Sequence, residues 1–224
     1  MKYQWILFDA DETLFSFNSY LGLQAVLACY GIEFSQDDYE AFQAVNKPLW
    51  LAYQNQEITI EQLQICRFSN IAKKIGKDEL ALNNELMLKM AVISKPLSGT
   101  IEVLEKLFGI IRMGIITNGL EILQKKRLEN TNTEKYFDIV ISSEVAGVPK
   151  PDERIFKFAF QQMGDINKSR ILMVGDTLSS DILGANQIGI DSCWFNPCKE
   201  VNHTEIKPTY EITDLKQLLN IVLS

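Results

Sequence analysis

Short apolar runs that alternate with helical patterns restrict the fold of this 224-residue chain more than any other feature of its sequence. The first run is Trp5 to Phe8. Similar runs recur at residues 113–116, 138–141, 171–174 and 192–195. Runs of this length without polar alternation are typical of strands buried on both faces of a parallel sheet. The sequence therefore predicts an α/β fold with a mostly parallel sheet flanked by helices.

Three helices of this α/β part have clear signals. They are expected to begin at Ser98 or Gly99, after Pro151, and at Asp214, which is a typical N-cap residue. The first of them would present one face, formed by Ile101, Leu104, Glu105 and Phe108.

Residues 16–96 interrupt the alternation, because they contain helix signals and no convincing strand. Four helices are expected there, two of them from capping signals at Ser35 and Thr59. The segment is too long and too apolar to be a linker. We therefore expect an α/β core made of residues 1–15 and 97–224, with an all-helical domain inserted at 16–96.

Charge and composition exclude several classes of function. The chain has 22 basic and 29 acidic residues, and a net charge of −7 does not suit a protein that binds a nucleic-acid polymer. A small anionic substrate is not excluded. The first apolar run ends at Asp9 and is far too short for a signal peptide or a membrane span, so no membrane partner is expected. The four cysteines show no C-x-x-C spacing and are expected to be reduced thiols in a cytoplasmic protein.

Polar residues follow the predicted strands at the end where open α/β sheets bind their ligands. The clusters are Asp9 to Thr13 after the first strand, Thr117 and Asn118 after the second, Lys150 between two prolines, and Asp176 and Asp181 after the strand at 171–174. The D-x-D-x-T pattern of the first cluster occurs often by chance and could be a turn or a helix cap. Its place after a buried strand, together with three other clusters in a workable order, indicates a site.

The residue types of these clusters suit phosphoryl transfer. An Asp carboxylate can attack phosphorus and form an aspartyl-phosphate, which divides a difficult hydrolysis into two easier steps. Asp9 is the candidate nucleophile. Asp11 is placed to protonate the leaving alcohol and then to deprotonate the attacking water. The chain is therefore expected to be a phosphoric monoester hydrolase with a small phosphomonoester as its substrate.

A cation is needed because a carboxylate and a phosphate dianion repel each other. Mg²⁺ prefers oxygen ligands and would bridge the two anions, and Mn²⁺ or Co²⁺ could replace it in such a site. Asp9 and Asp176 are the expected ligands, with Asp181 binding directly or through a water. Lys150 would add a fixed positive charge, and the Thr117 hydroxyl could bind the transferring group.

In their order and spacing these clusters resemble the four motifs of the haloacid dehalogenase superfamily. They are Asp9 to Thr13, Thr117, Lys150, and Gly175-Asp176 with Asp181. The resemblance implies a Rossmann-like core, with residues 16–96 as the superfamily's cap. It also implies that Asp9 is both nucleophile and metal ligand. Asp11 would be the acid/base, and its backbone carbonyl would touch the metal.

A closer resemblance is to the housecleaning pyrimidine 5'-nucleotidases of that superfamily. It rests on residues 8–15, 43–50 and 114–119. Most phosphatases of the superfamily have Gly where this chain has Glu12, and the nucleotidases resemble the chain at that position. The resemblance implies Mg²⁺-dependent hydrolysis of nucleoside 5'-monophosphates, with UMP, dUMP and dTMP preferred. It extends to damaged or non-standard pyrimidine nucleotides.

The cap residues that would recognise the substrate are less defined. Asn46 and Lys47 precede Pro48, whose ring disfavours helical geometry in the residue before it. A break there could aim Lys47 or Trp50 at the active site, or could leave a kinked surface helix with Trp50 in the cap interior. The expected substrate ligands are Asn46, Lys47, Thr117, Asn118 and Lys150.

Several alternatives share these motifs. A sugar-phosphate or phosphoglycolate phosphatase, or a phosphomutase, would differ only in the cap. A dehalogenase or a phosphonate hydrolase of the superfamily would not need the second acid, Asp11. A non-enzymatic scaffold would be expected to carry a broken motif, and none is broken. The sequence fits a monomer and a homodimer equally well.

Overall fold

Six parallel strands form a single sheet in the computed structural model, which describes residues 1–224. They are β1 (Trp5–Phe8), β2 (Arg112–Thr117), β3 (Ile139–Ser142), β4 (Ile171–Gly175), β5 (Asp191–Phe195) and β6 (Tyr210–Ile212). The order across the sheet is β3-β2-β1-β4-β5-β6, with every neighbouring pair parallel. The predicted fold class is confirmed, and β6 was not predicted. The chain adds β2 and β3 on one side of β1 and then β4, β5 and β6 on the other. Folds of this kind open a crevice for a ligand at the point where the strand order reverses, which here lies between β1 and β4.

Five helices and no strand lie within residues 16–96, which follow β1. They are α1 (Ser19–Ala28), α2 (Gln36–Gln54), α3 (Ile60–Cys66), α4 (Ser69–Ile75) and α5 (Glu79–Ile93), and we call them the helical insert. Ser35 and Thr59 each form a capping box, as predicted. The insert has its own buried apolar cluster, which also includes Leu120 and Leu123.

Two expectations for the insert were wrong. Pro48 does not break its helix, because α2 continues to Gln54. Pro48 and Ala44 are both exposed, so water can satisfy the carbonyl that loses its bond to the proline nitrogen. The second error is the helix count, since α4 follows α3 with no side-chain cap to mark its start.

The remaining helices pack against the sheet. They are α6 (Thr100–Leu107), α7 (Glu121–Thr131), α8 (Ser143–Ala146), α9 (Glu153–Met163), α10 (Leu183–Ile188) and α11 (Leu218–Leu223). A π-helical turn at Leu178–Ile182 precedes α10. Two apolar clusters, which contain 22 and 15 buried residues, fill the two sides of the sheet. No helix is both long enough and apolar enough to span a bilayer.

The predicted face of α6 is correct only at Leu104, which is buried. Ile101 and Phe108 are exposed, and the buried residues of this helix include Val103 and Leu107. The spacing of Ile101, Leu104 and Phe108 allowed a helical face, but the sheet lies against the neighbouring stripe. Asp214 caps a short 3₁₀ turn that leads into α11, so the signal for the last helix is confirmed.

Candidate active site

Three carboxylates from two strand ends converge at the carboxyl edge of the sheet. Asp9 directly follows β1, Asp176 directly follows β4, and Asp181 lies in the π-helical turn. One oxygen from each lies within 4.8 Å of the others. Gly175 permits this approach, because a Cβ atom at that position would lie 2.3 Å from Asp181 Cγ. The main-chain N–H of Thr177 donates to Asp181 Oδ2 at 3.0 Å and orients that carboxylate.

Lys150 lies at the centre of this cluster and is almost completely buried. Its Nζ lies 2.6 Å from Asp9 Oδ1 and 2.7 Å from Asp181 Oδ1, and donates to the Ile116 carbonyl at 2.6 Å. Burial alone would lower the pKa of Lys150, but Asp181 and Asp9 raise it above its ordinary value. The side chain is therefore a permanent cation.

The strand-end cluster has more negative than positive charge. Four carboxylates face two cations, namely Asp9, Asp11, Asp176 and Asp181 against Lys150 and Arg127. Burial raises the pKa of Asp9 well above its ordinary value, and the neighbouring carboxylates raise it further against the opposing effect of Lys150. Burial, followed by the charge of Asp181, raises the pKa of Asp176 to about 7. Buried oxygens with an excess negative charge are the donor set that suits a divalent cation such as Mg²⁺.

Thr117 is the last residue of β2, and Asn118 begins the loop that follows it. Thr117 is buried, and its Oγ1 accepts from the Gly119 main-chain N–H at 3.0 Å. The Asn118 side chain bonds the backbone of Lys150 in both directions, accepting at 2.7 Å and donating at 3.0 Å. Asn118 therefore holds the lysine loop with its amide. Its main-chain carbonyl accepts from Ser143 Oγ at 3.0 Å, which leaves the main-chain N–H to meet a substrate.

A cavity of about 320 Å³ opens above this cluster, between the strand ends and the helical insert. The insert contributes both apolar and polar walls, which include Trp50, Tyr53, Gln54, Arg67 and Met87. Trp50 and Tyr53 pack edge to face with ring centroids 6.1 Å apart. The insert reaches the core through Gln54, whose Nε2 lies 3.4 Å from the Ser179 carbonyl, and through Gln56, whose Nε2 donates to Asp152 at 3.0 Å.

The structure brings most of the predicted residues together and leaves two apart. Asp9, Asp11, Thr117, Asn118, Lys150, Asp176 and Asp181 all line the cavity. Asn46 and Lys47 do not line it. Lys47 is exposed, and the Asn46 side chain donates to Gln43 within the same helix. The unbroken course of α2 through Pro48 places Trp50, rather than Lys47, on the cavity wall.

The comparison with known proteins agrees with this geometry. Residues 3–189 match the family model of the haloacid dehalogenase-like hydrolases. The chain belongs to the haloacid dehalogenase-like hydrolase family. It is 44% identical over 218 residues to the pyrimidine 5'-nucleotidase YjjG of Escherichia coli (strain K12), with 97% of each chain covered.

Two further relatives of this haloacid dehalogenase-like hydrolase extend over its full length. The pyrimidine 5'-nucleotidase PynA of Streptococcus pneumoniae is 32% identical, with 98% of this chain and 95% of that protein covered. The crystal structure of the HAD-hydrolase YfnB from Bacillus subtilis bound to magnesium has a TM-score of 0.86 at 27% identity, and both chains are covered completely. The predicted family is confirmed.

Two buried arginines of this hydrolase are not among the site residues predicted from the sequence. Arg127 of α7 is fully buried, donates to Asp11 Oδ1 and Gln124 Oε1, and lies 4.6 Å from the centroid of the Phe15 ring. Arg67 follows α3 and lines the cavity. Each lies seven residues after an apolar residue at the start of its helix that packs into the apolar cluster of the insert, Leu120 and Ile60 respectively. A cation on an apolar stripe requires a partner, and this pattern could have identified both.

Proposed function

We propose that this protein is a Mg²⁺-dependent pyrimidine 5'-nucleotidase that releases phosphate from UMP, dUMP and dTMP. The observation that carries the proposal is the 44% identity, over 97% of both chains, to a pyrimidine 5'-nucleotidase. The strand-end cluster supports the reaction, because it offers a nucleophile, a second acid, a buried cation and a set of oxygen ligands in one cavity.

The first chemical step takes place at Asp9. Its carboxylate oxygen forms a bond to phosphorus while the bond from phosphorus to the 5'-oxygen breaks. Asp11 donates a proton to that leaving oxygen, so the nucleoside departs as a neutral alcohol. Lys150, at 2.6 Å from Asp9 Oδ1, orients the nucleophile and offsets the charge on the phosphoryl oxygens.

The second step restores the enzyme. A water attacks phosphorus and gives its proton to Asp11, the bond from Asp9 to phosphorus breaks, and inorganic phosphate leaves. Arg127 holds the Asp11 carboxylate in place during both steps. Thr117 and the main chain of Asn118 face the phosphoryl group from the end of β2.

Asp9, Asp176, Asp181 and the carbonyl of Asp11 would hold the metal. When bound, Mg²⁺ neutralises the carboxylates and reduces the repulsion between Asp9 and the phosphate. Mn²⁺ or Co²⁺ would also support turnover, because an all-oxygen site selects weakly among such ions.

The division of labour follows the fold. Residues 1–15 and 97–224 form the catalytic core, and 16–96 form the cap that closes over the substrate and excludes water. The reaction would take place in the cytoplasm, where such monophosphates occur.

Phosphate release from a substrate panel tests this proposal. The panel contains UMP, dUMP, dTMP, purine monophosphates, ribose 5-phosphate and phosphoglycolate, each with Mg²⁺ and with EDTA. We expect the highest kcat/KM for the three pyrimidine nucleotides and no turnover with EDTA. Absence of phosphate release from every nucleotide would refute the substrate, and isomer formation without free phosphate would indicate a mutase.

A further inference from the structure

Arg67 is a buried cation that faces the cavity from the helical insert. The residue is 6% exposed and lies at the end of α3, where Leu63 and Gln64 continue the same buried stripe. It lines the same cavity as Asp9 and Lys150. The guanidinium therefore belongs to the wall that is opposite the strand ends.

The protein satisfies only part of this guanidinium. Its Nε donates to Asn83 Oδ1 at 3.0 Å, and its Nη2 donates to the same oxygen. Asn83 is completely buried, so this amide fixes the direction of the arginine. Nη1 has no hydrogen-bond partner in the protein, although a guanidinium has five N–H donors.

Arg67 also has no carboxylate within ion-pair distance. Ten ion pairs occur in the structure, and none includes Arg67. Burial lowers its pKa to about 10, with no neighbouring charge to oppose the effect. By contrast, the buried cations Lys150 and Arg127 each contact at least one carboxylate. Nη1 is not among the fully enclosed polar atoms that lack a partner, so it is open to the cavity, where a ligand can supply the missing acceptor.

The surroundings of Arg67 suit a flat, mostly apolar ligand. Its guanidinium carbon lies 5.9 Å from the centroid of the Trp50 ring, and Met87, Leu120 and Leu123 also line the cavity. An aromatic ring beside apolar side chains accepts a planar heterocycle, and the arginine offers only donors at its edge. The complementary group is a planar ring that carries a carbonyl acceptor.

We infer that Arg67 recognises a carbonyl oxygen of the pyrimidine base and is a specificity-determining residue, an inference that rests on the proposed nucleotidase function. The phosphate lies at the strand ends and the base lies under the insert, beside Trp50. Adenine offers no carbonyl to this arginine, and ribose 5-phosphate offers no base at all.

The ratio of kcat/KM for UMP to kcat/KM for ribose 5-phosphate tests the assignment. The two substrates share the sugar phosphate and differ only in the base. Because a hydrogen bond from a charged group contributes on the order of 10- to 100-fold, we expect Arg67→Met to lower this ratio by that factor. Arg67→Lys keeps the charge but loses the fork of donors, so its ratio should fall between the two.

Stability is controlled by removing both members of the buried pair. Arg67→Met alone leaves Asn83 Oδ1 without a donor, whereas Arg67→Met/Asn83→Leu replaces the pair by apolar groups of similar size. The double variant should remain folded, as measured by thermal unfolding, and show the same fall in the ratio. Lys73→Met removes an exposed lysine of the insert outside the cavity and should keep the ratio of the unmodified protein.

The outcomes separate the two claims. A ratio that is unchanged in Arg67→Met and in the double variant, with both proteins folded, would overturn the role of Arg67 and leave the nucleotidase function intact. Failure of the unmodified protein to release phosphate from UMP would overturn the proposed function itself, and the base contact with it.

Discussion

The strand ends of the core and the inner face of the helical insert form the two walls of one cavity, yet their charges are arranged in opposite ways. In the core, Lys150 contacts two carboxylates and Arg127 contacts a third. In the insert, Arg67 stands among apolar side chains with a single amide as partner. Groups that carry out a reaction can be held by one another, whereas a group that selects a ligand must keep part of its bonding capacity unused.

This contrast is tested most strongly at Asp9. Since the core wall serves every substrate, Asp9→Asn should lower kcat by at least about 10⁴-fold for UMP and ribose 5-phosphate alike. Steady-state phosphate release measures both values. Asp138→Asn provides a matched control. Asp138 precedes β3, at the amino end of the strands and away from the cavity, and it pairs with Arg112. Undiminished turnover by Asp9→Asn would show that the nucleophile is wrongly assigned.

The excess negative charge of the core predicts that the free energy of unfolding depends on pH. The insert wall has no such cluster of carboxylates and should not contribute to this dependence. The pKa of Asp176 is raised from 3.8 to about 7, so the folded, metal-free protein binds more protons than the unfolded chain between these values. Stability attributable to this carboxyl is therefore lost as pH rises from about 4 to about 7. In EDTA the free energy of unfolding of the unmodified protein should fall, relative to Asp176→Asn, by on the order of 3 kcal/mol across this range.

Chemical denaturation of both proteins at several pH values measures that difference. Saturating Mg²⁺ at pH 7 should raise the stability of the unmodified protein more than that of Asp176→Asn, because the metal replaces the missing positive charge. A stability difference that stays flat from pH 4 to pH 7 in EDTA would contradict the charge imbalance.

A substitution in the insert wall should lower activity less than one in the core, and should affect UMP more than ribose 5-phosphate. Trp50 lines the cavity and is half-buried, and stacking of a base on an aromatic ring contributes about 1–3 kcal/mol. Trp50→Ala should therefore lower kcat/KM for UMP by roughly 5- to 100-fold, mainly through KM, with a smaller effect on ribose 5-phosphate. Trp50→Phe keeps an aromatic face and should retain most of the activity. An equal loss on both substrates would assign Trp50 to cap packing.

The sequence was sufficient to locate the core wall. Asp9 and Asp176 each follow a buried strand and Thr117 ends one, and the parallel arrangement of the strands brings such positions to one edge. The short strand β6 carried no such signal, because it has three residues and only Ile212 is buried. Local pattern is informative where burial is continuous, and it is weak at the edge of a sheet.

The insert wall was harder to predict because its residues acquire their roles only through packing. Lys47 and Trp50 are three residues apart, and the choice between them depends on whether α2 continues through Pro48.

Glu12 illustrates the same limit in the core. Its φ of 57° explains why glycine suits this position, and its side chain offsets the strain by accepting from the Phe17 main-chain N–H at 2.5 Å. Backbone geometry of this kind has no signature in residue spacing.

The bonds that Asn118 makes to the backbone of Lys150 have a kinetic consequence. A lysine side chain has four rotatable bonds, and ordering it costs on the order of 2 kcal/mol of conformational entropy. Here the loop is fixed by Asn118, and the ammonium is fixed by Asp9, Asp181 and the Ile116 carbonyl. That entropy is lost when the chain folds, so it does not have to be lost again during each catalytic cycle. Under the proposed mechanism the lysine would meet each phosphate already in place. An asparagine that need not touch the substrate with its side chain would then contribute to the rate of the chemical step.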